Sequence, residues 1–201
     1  MKVLFLSNNL DITMPLLEWL QKVEGIKNVR HWDKPLNTMV LDTTVFGMEF
    51  IVSYNYDYII KKDVISRFPE KIVNLHISLL PWNRGGSPNL WSFIDETPKG
   101  VTIHLVDEGI DTGPILFQHQ VHFDESIETL ASSYMKLHNS IQSLFREKWS
   151  DIKQGKVKSY LHSTYHTQEE TESLIREYTI QWNENILAVK NRISLGVTRS
   201  E

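Results

Sequence analysis

The chain has 201 residues, a formal net charge of -4 and a sequence pI near 6.1, and 41% of its residues are hydrophobic. This length supports one main domain with a sizeable core, so any second domain must be small. The mild negative charge gives no overall attraction to nucleic acid or to anionic lipid. The sequence contains no cysteine, which excludes disulfides, zinc–thiolate sites and a thiol nucleophile and is compatible with a reducing compartment.

Short apolar segments alternate with helical patterns through the first half of the chain. The apolar run over residues 2–7 is too short for a signal-peptide core or a membrane span, so we expect a cytoplasmic protein. The run predicts a buried strand, followed by a helix that ends at Gly25. Further strands are predicted over residues 29–32, 50–54 and 72–77, with a short helix over 61–68. This alternation predicts an α/β fold with a mostly parallel, doubly wound, twisted sheet.

The second half begins with a turn-rich stretch after Pro81 and an apolar helix around Leu90. A strand is predicted to begin at Gly100. A turn-like segment then joins it to another strand over residues 115–123, so we expect a hairpin-like excursion there. The longest helix is predicted from residue 126 to about 154. Two modest helical patterns, around residues 169–178 and 182–193, then indicate a mainly helical C-terminal arm. We therefore predict a main domain over residues 1–155 and an arm over 156–201.

The stretch VNLHISLLPWNRGG places two polar side chains at the end of a predicted strand. Asn74 and His76 are two residues apart, so their side chains share one face of that strand. The carboxyl ends of strands border the ligand crevice in open α/β sheets, and both side chains can point into one cleft. Taken alone, the pair also fits ordinary polar residues that close a buried strand.

The stretch VDEGIDTGPI presents a carboxylate in a tight loop. Gly109 and Gly113 bracket Asp111 and permit the turn geometries that expose its side chain. An ordinary Asx turn fits the same pattern. A calcium loop does not, because position 118 is glutamine where an EF-hand requires glutamate. We predict no metal site, since the scattered histidines lack matching carboxylate or thiolate spacing.

Together the two stretches form one specific motif. The pattern N-x-H-x-S-L-L-P, followed about thirty residues later by G-V-T-x-H and D-x-G, resembles the folate-dependent formyltransferases. The likeness is close over residues 50–123 and looser, through the sheet pattern, over the first 155 residues. It implies a Rossmann-like formyltransferase fold in which residues 1–155 form the catalytic domain. It also implies that the family's catalytic asparagine, histidine and aspartate correspond to Asn74, His76 and Asp111.

These three residue types suit formyl transfer on chemical grounds as well. When an amine attacks a formyl carbon, negative charge develops on oxygen and the nitrogen must lose a proton. The Asn74 amide can donate a hydrogen bond to the developing oxyanion. His76 can donate to it or accept the amine proton, and Asp111 can orient His76 or a relay water. The sequence leaves open how His76 and Asp111 divide these roles.

The resemblance also implies 10-formyltetrahydrofolate as the formyl donor. In the family, the pterin cleft is bounded by the loop after the central strand and by the loop that carries the aspartate, here residues 53–60 and 106–111. Tyrosines at alternate positions equally fit a plain strand face, so both interpretations of the tyrosine cluster stay open. The predicted cofactor-binding residues are Tyr54, Tyr56, Tyr58, Ile59, Asp107 and Gly109.

Three branches of the family differ in the acceptor amine. The initiator-tRNA enzymes carry a further C-terminal RNA-binding domain, for which we expect the C-terminal arm to leave no room. The glycinamide ribonucleotide enzymes hold the substrate phosphate on a glycine-rich turn after the first strand. Here that segment is SNNLDITMP, which lacks glycine and places the like charge of Asp11 near a phosphate. The stretch RGGSPNLWSF instead resembles nucleotide-sugar N-formyltransferases, which act on amino-dideoxy sugars linked to dTDP or UDP.

Within the nucleotide-sugar branch, charge and shape indicate contacts for the nucleotide. Arg84 is a candidate diphosphate contact, although it also fits a surface ion pair, and Trp91 or Tyr165 could stack on the base. The segment STYHTQEE, with Tyr165 and His166, resembles a tyrosine–histidine motif that follows the catalytic domain in this branch. The predicted substrate-binding residues are Ser78, Arg84, Gly85, Pro88, Asn89, Trp91, Tyr165 and His166.

The resemblance therefore favours formyl transfer to a nucleotide-linked sugar of the dTDP-4-amino-4,6-dideoxyglucose type, for O-antigen synthesis. The alternatives are glycinamide ribonucleotide formyl transfer in purine synthesis and a non-catalytic protein that binds folate or a nucleotide sugar. We expect no nucleic-acid or membrane partner. We expect a homodimer, because this branch usually pairs and because Trp182, Ile186 and Val189 on the arm would otherwise need cover.

Overall fold

The computed structural model describes residues 1–154 and 165–196. The predicted domain boundary between residues 155 and 156 lies outside these ranges. In the described ranges the strands are β1 (Lys2–Leu6), β2 (Asn28–Trp32), β3 (Phe50–Ser53), β4 (Ile72–His76), β5 (Arg84–Gly85), β6 (Gly100–Leu105), β7 (Ile115–Gln120) and β8 (Tyr165–His166). The helices are α1 (Leu10–Lys22), α2 (Thr38–Thr43), α3 (Lys62–Ile65), α4 (Pro88–Ile94), α5 (Leu130–Ile152), α6 (Gln168–Glu177) and α7 (Ile186–Ser194).

The described residues form two compact units. Unit 1 comprises residues 1–76, 103–117 and 144–154, and unit 2 comprises residues 77–102, 118–143 and 165–196. Strands β6 and β7 and helix α5 each contribute residues to both units. No helix in the described ranges is both long and apolar enough to span a membrane.

Six strands form the main sheet, in the order β2-β1-β3-β4-β6-β7. Strand β1 is parallel to β2 and β3, and β3 is parallel to β4, so their carboxyl ends lie at one edge of the sheet. In this register Asn74 is the partner of Ser53. Backbone hydrogen bonds pair Leu105 with Pro114 and Val121 with Lys99, so β6 and β7 run in opposite directions. The prediction of an α/β fold with a mostly parallel sheet is confirmed.

Unit 1 has a core of aliphatic side chains around the parallel strands. Residues Val3 to Leu6 of β1 and Ile51 and Val52 of β3 are fully buried, as expected for central strands covered on both faces. Helix α1 begins at an Asn9 cap, whose side chain accepts a hydrogen bond from Ile12 N. The C-terminal half of α5 packs its aromatic residues against this unit, with Trp149 and Phe50 ring centroids 5.5 Å apart. This core fixes the strand ends that carry the candidate site.

Unit 2 has its own core, built from α4, α5, α7 and the segment after α6. It consists of Leu90, Phe93, Leu130, Ile180, Ile186 and Val189. Ile186 and Val189 are only 1% and 2% exposed, so our expectation that they need cover from a second subunit is wrong. The arm instead buries them within unit 2. Trp182 is 39% exposed and contacts the ring of Tyr134. The homodimer stays a prediction, but the need to cover Ile186 and Val189 no longer supports it.

Helix α5 begins at Leu130 rather than at the predicted residue 126. Asp124 accepts hydrogen bonds from Ser126 N and Oγ, which forms a local turn, and Thr129 and Ser132 exchange reciprocal bonds at the true helix start. The apolar spacing continues through this capping region, which explains the difference. Helix α2 and the two-residue strands β5 and β8 were not predicted, because none is long enough to show a hydrophobic period.

We expect the stability of the fold to depend on pH through His138 of α5. This side chain is 1% exposed, and burial lowers its pKa from 6.5 to about 4. As the pH falls between these values, the unfolded chain binds a proton that the folded chain does not. The free energy of unfolding should therefore decrease across this window, by up to about 3 kcal/mol.

Urea unfolding between about pH 7 and about pH 4.5 measures this dependence. In His138→Gln the free energy of unfolding should change less with pH than in the parent chain, whatever the absolute stability of the variant. His119→Gln, at an exposed position of β7, is the matched control and should keep the slope of the parent chain. Equal slopes in the parent and in His138→Gln would contradict the assignment.

Candidate active site

Three predicted residues meet at the carboxyl end of β4 and in the loop after β6, all within unit 1. Asn74 Nδ2 donates a hydrogen bond to Asp111 Oδ1 at 3.1 Å, and His76 Nδ1 lies 3.5 Å from Asp111 Oδ2. The side chains of His76 and Asp111 are 8% and 13% exposed. Asp111 therefore contacts both other members through its two oxygens. The predicted proximity of amide, imidazole and carboxylate is present in the structure.

A fourth side chain, His104 of β6, joins this group. Its Nε2 lies 3.2 Å from Asn74 Nδ2 and 3.4 Å from Asp111 Oδ1, while its Nδ1 lies 2.8 Å from Leu105 O. A carbonyl oxygen can only accept, so Nδ1 carries a proton that it donates to Leu105 O, and the Asn74 amide nitrogen faces Nε2. Sequence reasoning did not single out His104 as a site residue, although it is the final residue of the G-V-T-x-H pattern.

The orientation of the Asn74 amide follows from these partners. An Asn74 oxygen facing the Asp111 carboxylate would be repelled, so the amide nitrogen faces it. Its two hydrogens then point to Asp111 and to His104. Donation to an oxyanion requires one of these hydrogens to change partner, which the sequence did not indicate.

The loop over residues 106–114 holds Asp111 in an unusual backbone conformation. Asp111 has φ of +51°, in the left-handed region that glycine adopts readily, that asparagine and aspartate adopt more often than other residues, and that costs most other residues about 1 kcal/mol or more. Asp107 stabilises this turn by accepting hydrogen bonds from Gly109 N and Thr112 Oγ1. A Cβ on Gly113 would lie 1.8 Å from Leu105 O, so only glycine fits there. The loop is thus built to present the Asp111 carboxylate.

The G-V-T-x-H pattern also supports the loop that follows β4. Thr102 Oγ1 donates to Ser78 O at 2.7 Å and accepts from Leu80 N and from Gln118 Nε2, both at 3.0 Å. A Cβ on Gly100 would lie 2.5 Å from His119 O of β7. Gly100 and Thr102 therefore have structural roles in unit 2, whereas His104 contacts Asn74 and Asp111 in unit 1.

The predicted cofactor-binding residues occupy different environments. Tyr54 is fully buried, so its ring presents no face to a ligand and only its backbone stays a candidate. Tyr56 donates to Lys34 O at 2.6 Å, and burial raises its pKa to about 12. Tyr58 and Ile59 are 40% and 67% exposed, so they can contact a ligand. Asp107 and Gly109 hold the aspartate loop, as described above.

The end of β1 is closed by the side chain of Asn8. Asn8 Nδ2 donates to Asp33 O at 2.8 Å, Asn8 Oδ1 accepts from Asp57 N at 3.0 Å, and Asn8 N donates to Asn55 O at 2.7 Å. An asparagine side chain thus joins the loops after β1, β2 and β3 at the place where a glycine-rich turn would offer backbone amides to a phosphate.

Several predicted substrate-binding residues lie together in unit 2. Arg84 and Gly85 pair with Tyr165 and His166 in a two-stranded parallel sheet, β5 with β8. The indole of Trp91 is 9% exposed, donates from Nε1 to Thr171 Oγ1 at 2.9 Å, and stacks on His166. The stacking partner of Trp91 in the structure is therefore the imidazole of His166.

Three other predicted substrate-binding residues have contacts or positions within unit 2 that the fold itself uses. Asn89 is 1% exposed, donates to Leu130 O at 2.9 Å and accepts from Ser133 Oγ at 3.1 Å, so it ties α4 to α5. The hydroxyl of Ser78 donates to Trp82 O at 2.8 Å. Pro88 occupies the first turn of α4, where proline is favoured. We assign Asn89 a structural role, and Ser78 and Pro88 stay predictions.

Comparison with known proteins places this geometry in a family. A protein-family model described as formyl transferase matches residues 23–147, which is more than half of the chain. Among curated proteins, methionyl-tRNA formyltransferase of Finegoldia magna is 41% identical over 80 residues, which cover 39% of this chain and 26% of that protein. The chain thus spans about a quarter to a third of the length of the curated relatives it matches.

Solved structures match over nearly the whole chain. The formyltransferase PseJ from Anoxybacillus kamchatkensis, in complex with UDP-4,6-dideoxy-4-formamido-L-AltNAc and tetrahydrofolate, has a TM-score of 0.79 and 35% identity, with 94% of this chain and 97% of that chain covered. A sugar N-formyltransferase from Shewanella sp FDAARGOS_354 has a TM-score of 0.75 at 23% identity, with 94% and 86% covered, and supports the fold alone.

Proposed function

Because this chain belongs to the formyl transferase family, we propose that it transfers a formyl group from 10-formyltetrahydrofolate to the amino group of a nucleotide-linked amino-dideoxy sugar. The observation that carries the proposal is the contact of Asn74, His76 and Asp111 around one point in unit 1. The structure of PseJ with tetrahydrofolate and a formamido sugar nucleotide supports both the donor and the acceptor class.

In the proposed mechanism the acceptor amine attacks the formyl carbon of the donor directly. His76 Nδ1 faces Asp111, so the neutral ring keeps its proton on Nδ1 and its Nε2 lone pair accepts the amine proton. Asp111 stabilises the imidazolium that results. The Asn74 amide turns a hydrogen to the developing oxyanion, and His104 holds the amide in place before the reaction. The carbon–nitrogen bond to the folate then breaks, and His76 returns the proton to the folate nitrogen.

The identity of the acceptor can be narrowed by similarity. The ligand in PseJ is linked to UDP and carries its formamide at the 4-position, and that structure is 35% identical to this chain. We therefore place a UDP-linked 4-amino-4,6-dideoxy sugar ahead of the dTDP-linked sugar that the sequence suggested. A role in cell-surface polysaccharide synthesis, such as O-antigen, is part of the same proposal.

Glycinamide ribonucleotide is the second candidate acceptor. The Asn8 side chain already uses its oxygen and nitrogen to join three strand-end loops, and this arrangement does not offer the backbone amides of a glycine-rich turn. The observation disfavours a phosphate at that place. A non-catalytic binding protein is disfavoured because Asn74, His76 and Asp111 are all in contact.

One assay separates these candidates. The protein is incubated with 10-formyltetrahydrofolate and, in parallel, with UDP- and dTDP-linked 3- and 4-amino sugars and with glycinamide ribonucleotide, and mass spectrometry follows the gain of one formyl group. We expect formyl gain with a UDP-linked 4-amino sugar. Gain only with glycinamide ribonucleotide would reject the sugar acceptor, and folate binding without any gain would favour a binding protein.

A further inference from the structure

His166 is held on its edge and on its face by residues of its own unit. His166 Nε2 donates to Asp95 Oδ2 at 2.7 Å, and the imidazole stacks on Trp91 with ring centroids 3.8 Å apart and planes inclined by 3°. The side chains of His166 and Asp95 are 19% and 29% exposed. A hydrogen bond to a carboxylate and a parallel stack together give the imidazole one defined position.

Asp95 connects His166 to the residue that precedes Arg84. The same Asp95 oxygen accepts a hydrogen bond from Asn83 Nδ2 at 3.1 Å. Asn83 is fully buried, and its Oδ1 accepts from Thr97 Oγ1 at 2.5 Å. Asn83 also has φ of +55°, so its side-chain partners help to hold an uncommon backbone conformation. The carboxylate of Asp95 therefore fixes the N-terminal side of Arg84.

The main chain of His166 holds the other side of Arg84. Gly85 is the strand partner of His166, and Gly86 N donates to His166 O at 3.2 Å. A Cβ on Gly86 would lie 2.8 Å from Gln168 Oε1, so the turn lies close to the start of α6. His166 thus holds both neighbours of Arg84. Its backbone pairs with Gly85, and its side chain reaches Asn83 through Asp95.

From this geometry we propose that His166 and Asp95 are positioning residues for Arg84, and that their contact sets the affinity for the nucleotide part of the substrate. The inference rests on the proposed function, since it takes the Arg84 guanidinium as the contact for the diphosphate. A guanidinium on a long side chain binds a diphosphate more tightly when its backbone is already fixed. His166 acts through Arg84 and does not take part in formyl transfer.

Steady-state kinetics with the best acceptor of the panel and 10-formyltetrahydrofolate test this inference. His166→Ala should raise the KM for the nucleotide sugar about tenfold, the effect of one lost charge-assisted hydrogen bond. The KM for the folate and kcat should each change by less than about twofold. Asp95→Asn keeps an oxygen that accepts from both His166 and Asn83 and should retain most of the affinity, whereas Asp95→Leu should not.

Two further variants make the test specific. His122→Ala, at an exposed position after β7, is the matched control and should leave every constant unchanged. Arg84→Ala should raise the KM for the nucleotide sugar at least as much as His166→Ala. Because His166 acts through Arg84, the double variant should be no weaker than Arg84→Ala alone. An unchanged KM in His166→Ala, or effects that multiply in the double variant, would overturn the inference.

A failure of the proposed function gives a different result. In that case the parent chain formylates none of the nucleotide sugars, and the inference is tested by calorimetric titration with UDP. Weaker UDP binding in His166→Ala than in the parent supports the inference. Equal binding in both, or no UDP binding by the parent, overturns it.

Discussion

Replacing His76 by alanine is expected to lower kcat for formyl transfer by about a thousandfold, the range found for general acid–base groups. In the proposed mechanism, the substitution removes the group that accepts the amine proton and returns it to the folate. It leaves Asn74, His104 and Asp111 in mutual contact. Folate affinity should therefore stay within about an order of magnitude. Single-turnover rates and fluorescence titration with tetrahydrofolate measure the two quantities.

The comparison for this variant is His119→Ala, which removes an exposed imidazole from β7. It should retain the rate of the parent chain. A residual rate in His76→Ala within about tenfold of the parent would show that His76 is not the proton acceptor, and Asp111 would then be the next candidate. Loss of folate binding in parallel with the rate would indicate disruption of the site rather than loss of one chemical step.

Replacing Asp111 is expected to separate activity from stability. Asp111→Asn keeps an acceptor for the Asn74 amide but loses the charge that, in the proposed mechanism, stabilises the His76 imidazolium, so kcat should fall by about a hundredfold or more. Asparagine tolerates the left-handed backbone at this position, where φ is +51°. The free energy of unfolding should therefore change by less than about 1 kcal/mol. Steady-state kinetics and urea unfolding measure the two effects.

Two other substitutions at the same position complete this test. Asp111→Gly fits the left-handed backbone and should unfold at a urea concentration close to that of the parent, yet it should be as inactive as Asp111→Asn or more so. Asp111→Ala places in the left-handed region a residue that rarely adopts it and should be less stable than the glycine variant by about 1 kcal/mol. If activity followed stability across the three variants, the carboxylate would have only a structural role.

The sequence predicted the central part of the site because it depends on short-range order. Asn74 and His76 lie on one face of a strand whose apolar pattern is clear, and glycines mark the loop around Asp111. Parallel strands bring Asn74 and His76 to one edge of the sheet, and the resemblance to the folate-dependent formyltransferases implied that Asp111 meets them there. The contact of His104 with Asn74 could not be predicted from the sequence. It joins residues thirty positions apart and depends on strand order and register.

Other features depend on tertiary contacts that leave no local pattern. The strands β5 and β8 have two residues each, and their pairing is fixed by Gly86, His166 and Asp95 rather than by a hydrophobic period. In the sequence pattern Asn89 is indistinguishable from any polar helix residue, although its amide nitrogen and oxygen both form hydrogen bonds with α5. Burial of Ile186 likewise depends on which helix covers it. The folded chain, not the periodicity, decides which apolar face is exposed.

The central claim is that Asn74, His76 and Asp111 act as one unit on a single formyl carbon. The most direct test is the rate of formyl transfer by the double variant His76→Ala/Asp111→Asn, compared with each single variant. Groups that serve the same step are not additive, so the double variant should be no more than a few times slower than His76→Ala. A rate equal to the product of the two separate losses would mean that the imidazole and the carboxylate work independently, and would contradict the account.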